Sequence, residues 1–322
     1  MWNSFSEDEL LNILSRFWIN SHHSNIIVPN GDDALALYLE GDNAFLLTVD
    51  TSLENVHFTQ ELLSFKEIGY RAVAGALSDI AAMGGYPLTI LIDLEVPLPV
   101  SDKIEEIYSG IEELSRIFKF SIGGGNIVKG DRWRITTTVA GTVEKDYILT
   151  RTSFKPGEYL YLTGDVGRVY FFFDLLNERE KYPELFNLLR DKFARPIPRI
   201  EEISHLKKSY KINGAIDISD GLGIDLTRVA KSSNVKIVLN LEDLPVKDEL
   251  KTLCSDKEEF YKKICSSGEE YEVCFSSKEE IEDPRVTKIG YVEKGNPEVI
   301  GIIGNKEITL TNLGYDHLKS LR

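Results

Sequence analysis

Cysteine is nearly absent from this chain. Three residues in 322, Cys254, Cys265 and Cys274, form no CxxC pair. They cannot build a disulfide framework, which predicts a reducing compartment. Basic residues are in deficit, with 37 Lys+Arg against 52 Asp+Glu and a net charge of −15. Such a field repels a phosphate backbone, so binding of nucleic acid through general electrostatics is excluded, while a nucleotide carried by metal ions is not. Long apolar runs are missing too. Segments such as LTILI at 88–92 are far too short to span a bilayer. The N-terminal MWNSFSEDELLNIL has no apolar signal core. The expectation is a cytoplasmic protein without a membrane partner. Also lacking are the P-loop GxxxxGK[ST], the dinucleotide GxGxxG and the protein-kinase signatures. The five histidines show no metal-ligand spacing, which speaks against zinc.

What is present is an ordinary globular composition, 42% hydrophobic and 28% charged, long enough for about two domains. Strand-like and helix-like segments alternate. Ala44–Val49, Leu88–Val96 and 133–143 read as strands. Lys66–Met83 and Lys103–Phe118 carry apolar residues at helical spacing, the first stopped by Gly84-Gly85 and Pro87. TRTSFKPGE near 150 reads as a linker. Beyond it, Tyr159–Leu162, Ala215–Ile218 and Lys236–Leu241 read as strands and Ile224–Ser232 as a helix. The predicted fold class is α+β, with two mixed α/β domains at 1–149 and 150–322.

Carboxylates collect at element ends. Asp32 and Asp33 follow Gly31, Asp50 ends an apolar strand, and Asp217 and Asp220 flank Ser219 in IDISDG. Each has an ordinary alternative as a turn or helix cap. Asp79 is harder to explain structurally, because it sits among Leu77, Ser78, Ile80 and Ala81 in a helical segment. A buried lone carboxylate is costly unless paired or metal-bound. Convergence of several would call for a divalent cation, and all-oxygen ligands select Mg²⁺. The run Gly123-Gly124-Gly125-Asn126 reads as a loop whose backbone N–H groups suit phosphate oxygens. No nucleophile–base pair is legible.

Eight segments in order resemble the thiamine-monophosphate kinase family, within the ATP-binding superfamily of aminoimidazole ribonucleotide synthetase and selenophosphate synthetase. They are GDDALAL (31–37), TVDTSLENVHF (48–58), ALSDIAAMGGYP (76–87), GGNIVKG (124–130), TRTSFKPGE (150–158), RPIPRI (195–200), IDISDGL (216–222) and SGEEYEVCF (267–275). The resemblance implies direct phosphoryl transfer from ATP to thiamine monophosphate, several Mg²⁺ ions, and a homodimer formed through the N-terminal domain. It implies Mg²⁺ ligation by Asp32, Thr48, Val49, Asp50, Asp79, Asn126, Asp217 and Asp220. ATP contacts would come from Tyr108, Gly125, Asn126, Arg151 and Ser219, and thiamine contacts from His57, Glu269 and Tyr315. No residue is implied as an acid or base, which agrees with an acceptor that is already an ionised phosphate. Asn126 stands where the family has an aspartate, and Glu270 where it has another. Two other readings stay open at this point, a different ATP-using enzyme of the superfamily and a non-catalytic nucleotide- or thiamine-binding paralogue. No cysteine precedes Cys254 and the tail HLKSLR has none, which argues against the selenophosphate-synthetase-like and carbamoyl-dehydrating members.

Overall fold

The computed structural model describes residues 6–18, 25–29, 31–99 and 103–318. Helix α1 (Glu7–Trp18) leads into strands β1 (Ile26–Val28), β2 (Leu35–Tyr38) and β3 (Asn43–Leu53). Helix α2 (Phe65–Ala82), strand β4 (Tyr86–Val96), helix α3 (Lys103–Phe118), and strands β5 (Ser121–Lys129) and β6 (Arg134–Glu144) follow. These strands form a six-stranded sheet in the order β1-β2-β3-β6-β4-β5, antiparallel except for β4 with β5. The parallel pair is joined through α3, as a crossover requires.

The second half contains β7 (Tyr159–Thr163), α4 (Arg168–Asp174), α5 (Pro183–Ala194), α6 (Ile200–Ser209), β8 (Ile212–Ile218), α7 (Leu222–Ser233) and β9 (Lys236–Asn240). It ends with α8 (Lys257–Cys265), β10 (Glu272–Ser277), β11 (Val286–Glu293), β12 (Glu298–Ile303) and β13 (Lys306–Thr309). Its seven-stranded sheet runs β13-β12-β9-β11-β7-β10-β8, antiparallel apart from β12 with β9.

Helix α2 is the element that positions the site. Ser64 and Glu67 close its N-terminus as a reciprocal capping box. Fourteen of its eighteen residues are buried, so it lacks a solvent face and is a wedge rather than a surface helix. One side packs on β3, β4 and β6, and the other meets α5, α6, β8 and β10 of the second half. Its partner α3 approaches backbone to backbone. A side chain at Gly69 would collide with the Ile107 carbonyl, and one at Gly110 with the Lys66 carbonyl. Any Cβ there would push the two helices apart.

The glycine run differs from the sequence expectation. Gly123, Gly124, Gly125 and Asn126 are not a loop but part of edge strand β5, paired with β4. A side chain at Gly125 would strike the Ile92 carbonyl, and its φ of +154° is glycine territory. The glycines therefore serve a close, irregular strand pairing, with a register shift between Ile90 and Ile92.

Candidate active site

A cavity of about 520 Å³ opens between the two sheets. Its floor is acidic. Asp79 lines it from the buried wedge helix and Asp217 from the end of β8, and Asp33, from the bend before β2, lies behind them with its side chain fully buried. One ligand oxygen from each lies within 4.8 Å of the others. Asp79 Oδ2 accepts a hydrogen bond from Thr48 Oγ1 at 2.6 Å. Asp33 Oδ1 is held by the Arg151 guanidinium, with Nε at 3.2 Å and Nη2 also in contact. Asp33 Oδ2 is buried and has no hydrogen-bond partner among the described residues. Such an oxygen is costly unless something absent from the protein chain satisfies it.

The electrostatics agree. Burial first, then the charge of Asp33, pushes Asp79 and Asp217 well above the usual carboxylate range. Burial and Asp33 also raise Asp32, to about 7. Asp50 is raised chiefly by burial, although its Oδ1 accepts the Thr51 N–H at 2.7 Å. Arg151 is the cation facing this group, and its own pKa is raised by Asp33 and Asp32 despite burial. The donor set is all oxygen, which suits a hard divalent cation. An octahedral Mg²⁺ with ligands near 2.1 Å sets neighbouring oxygens about 3 Å and opposite ones about 4.2 Å apart, so the trio would have to draw inward to share one ion.

The loop between β8 and α7 is organised by a residue that the sequence does not flag. Asp225 Oδ2 accepts the N–H groups of Ser219, Asp220 and Gly221 at 3.1, 3.0 and 3.0 Å. Its other oxygen meets Arg228 Nη1 at 2.8 Å, and the same nitrogen meets Asp220 Oδ2 at 2.6 Å. Burial and Asp220 raise Asp225 to about 7. This scaffold turns Ser219 and Asp220 toward the cavity.

The opposite wall is aromatic and acidic. His57, His317 and Tyr315 form a chain of rings, with centroids 5.2 and 4.9 Å apart. His57 Nδ1 accepts the Leu53 N–H at 3.0 Å, and burial lowers the pKa of the ring. Glu269 and Tyr271 have left-handed backbones, φ 57° and 52°, a strain of about 1–3 kcal/mol each that clusters at functional sites. Both line the cavity. Their N–H groups are tied to the carbonyls of Ser219 and Ile218, at 2.6 and 2.8 Å.

Among the sequence candidates, Val49, Asp50, His57, Asp79, Asp217, Ser219, Asp220, Glu269 and Tyr315 line this one cavity. Thr48 stands behind it through Asp79. Asp32 accepts the backbone N–H of Arg151 at 3.2 and 3.1 Å, while its neighbour Asp33 joins the carboxylate trio. Three candidates are not brought there within one chain. Tyr108 is half-buried on α3 and packs on the core. Gly125 and Asn126 lie exposed on β5, where Asn126 Nδ2 donates to Asp93 at 3.0 Å. Glu270 does not face the cavity either. It is fully buried and accepts the N–H groups of Gly167 and Val169 at 2.7 and 3.2 Å, closing the start of α4. Asp33, grouped with the carboxylates but not carried over as a ligand, Asp225 and Arg71 are the functional residues that the sequence reading left out. A DD pair following glycine was the only signal for the first.

Comparison with known proteins matches this arrangement to a family. Residues 31–143 match the N-terminal domain of AIR synthase related protein, and 155–303 match its C-terminal domain. Thiamine-monophosphate kinase of Bacillus subtilis (strain 168) is 34% identical, over 92% of this chain and 95% of its own length. That of Pyrococcus abyssi is 35% identical over 89% and 90%. A solved structure of AaThiL complexed with AMPPCP and TMP superimposes with a TM-score of 0.83 at 28% identity, covering 97% of both chains. The chain, with its two α/β domains, belongs to the thiamine-monophosphate kinase family.

Proposed function

We propose that the protein is a Mg²⁺-dependent homodimeric kinase that passes the γ-phosphoryl group of ATP directly to the phosphate of thiamine monophosphate, giving thiamine diphosphate. The observation that carries this reading is the trio of Asp79 and Asp217 on the cavity floor with Asp33 just behind them, one buried oxygen of Asp33 being unsatisfied. Phosphoryl transfer needs positioning and charge neutralisation more than covalent chemistry. Mg²⁺ held by these carboxylates, with Asp50 and Asp220 close by, would neutralise the phosphate oxygens of both substrates.

The chain's own groups do the rest. Asp225 fixes the Ser219–Gly221 backbone so that the loop presents one geometry to the nucleotide. Arg151 restrains Asp33 and leaves one of its oxygens for ligation. Glu269 shares the aromatic wall, a suitable setting for a thiazolium cation held by a carboxylate beside the rings of Tyr315 and His57. No side chain has to remove a proton, because the acceptor phosphate is already ionised near neutral pH.

A second copy accounts for the first sheet. Its face away from α2 and α3 exposes Val49 and Leu91, at 64% and 48%, and edge strand β5 exposes Ile127 at 55%. An uncovered apolar sheet face with a long free edge needs a partner. Pairing there would place Gly125 and Asn126 in an interface. The three cysteines are all free thiols, which suits a cytoplasmic protein. Mixing γ-¹⁸O-labelled ATP, Mg²⁺ and thiamine monophosphate with the protein tests the reading. Label should appear in thiamine diphosphate and never on the protein. A labelled protein intermediate, or ADP without thiamine diphosphate, would refute direct transfer.

A further inference from the structure

Glu269 does not set its own direction. Arg71 lies on the wedge helix α2, eight residues before Asp79, with its side chain only 3% exposed. Its guanidinium is gripped by the second half of the molecule. Nη1 donates to the carbonyl of Phe193 in the last turn of α5, and the cation sits over the Phe193 ring at 4.1 Å and near Tyr271 at 5.7 Å. Nη2 forms an ion pair with Glu269 Oε1 at 2.6 Å, a charge contact without hydrogen-bond alignment. The Glu269 backbone is fixed separately, by its left-handed φ and its N–H bond to Ser219.

A cation at the end of a helix has a structural use of its own, satisfying a last-turn carbonyl. The Phe193 contacts already provide that. The second arm of the fork goes instead to a carboxylate that borders the cavity and is 23% exposed. We infer that Arg71 is a positioning residue, holding the Glu269 carboxylate at the cavity wall in the direction that receives the cationic end of the acceptor. The inference rests on the kinase reading, in which Glu269 faces thiamine monophosphate. The rigid guanidinium keeps its bond to the Phe193 carbonyl while presenting its charge to Glu269, whereas lysine, a single point charge, would serve one at a time.

Steady-state kinetics of Arg71→Met, Arg71→Lys, Glu269→Gln and the Arg71→Met/Glu269→Gln pair test it. A lost charge-assisted contact corresponds to roughly tenfold in affinity. Arg71→Met and Glu269→Gln should each raise KM for thiamine monophosphate about tenfold, leave KM for ATP within about twofold, and combine with no further loss. Arg71→Lys should fall between wild type and Arg71→Met, and it carries the same readout if Arg71→Met does not fold. Additive losses in the pair, or equal changes in KM for both substrates, would make Arg71 a structural brace and overturn the inference alone. A wild-type protein that does not phosphorylate thiamine monophosphate would overturn the kinase reading and this inference with it.

Discussion

Replacing Asp79 by asparagine separates the two consequences of a buried carboxylate cluster. The oxygens of Asp33, Asp79 and Asp217 lie within 4.8 Å of one another. Two full charges at that spacing repel by about 3.5 kcal/mol at an effective dielectric of about 20. Asp79 takes part in two of the three pairs, so full ionisation would cost about 7 kcal/mol through this residue alone. The Arg151 guanidinium beside Asp33 offsets part of this, and proton uptake offsets more, since Asp79 and Asp217 are pushed well above their usual range. About 2–4 kcal/mol should survive in the metal-free protein at pH 8. The folded state binds more protons than the unfolded state from the ordinary carboxylate pKa upward to the raised one. Metal-free stability therefore falls as pH rises through that window. Asp79→Asn removes this loss. With an unfolding entropy of about 2.1 cal/mol/K per residue, the variant should melt about 3–6 °C higher than wild type in EDTA at pH 8, and about level with it near pH 5. With Mg²⁺ and ATP the order should reverse, because only wild type gains full binding energy. Turnover of the variant should fall by at least about 10³. Melting at both pH values, with EDTA or Mg²⁺, and a product assay read these effects. A variant that melts below wild type in EDTA at pH 8 would refute the reasoning.

A methyl group at Gly75 would sit 2.9 Å from Asp50 Oδ2 and 3.1 Å from the Tyr271 hydroxyl. Gly75→Ala should gain helix propensity worth up to about 1 kcal/mol while displacing two cavity groups, so its melting temperature should hold or rise as turnover drops about tenfold or more; unchanged turnover would show that Asp50 and Tyr271 need not be where they are. Glu270→Asp shortens this side chain by one methylene. Its shorter reach should forfeit the N–H groups of Gly167 and Val169 and lower stability by about 1–2 kcal/mol, with KM for thiamine monophosphate unchanged; a shifted KM at an unchanged melting temperature would instead give Glu270 a substrate role.

The sequence is most informative where a charge interrupts an apolar run. Asp79 in its helix and Asp217 at the end of its strand stand out because nothing local explains them, and both reach the cavity floor. Helix α3 is legible to the residue, since its apolar spacing is regular and Pro99 and Lys119–Phe120 bracket it. Asp33 is not legible, because the choice within Asp32-Asp33 depends on which carboxylate the distant Arg151 side chain meets. Asp225 and Arg71 look like ordinary helix charges, and their roles come from a loop folded back over one and a second domain packed on the other. The glycine run misleads for a similar reason. Consecutive glycines suit a phosphate loop or a crowded strand edge equally well, and only the position of Ile92 across the pair decides.

Anomalous scattering from crystals grown with Mn²⁺, a non-hydrolysable ATP analogue and thiamine monophosphate tests the central claim most directly. The account predicts a manganese peak at roughly 2–2.3 Å from carboxylate oxygens of Asp33, Asp79 and Asp217, between the phosphates of the two ligands. Manganese bound elsewhere, with those three carboxylates unligated beside both substrates, would contradict it.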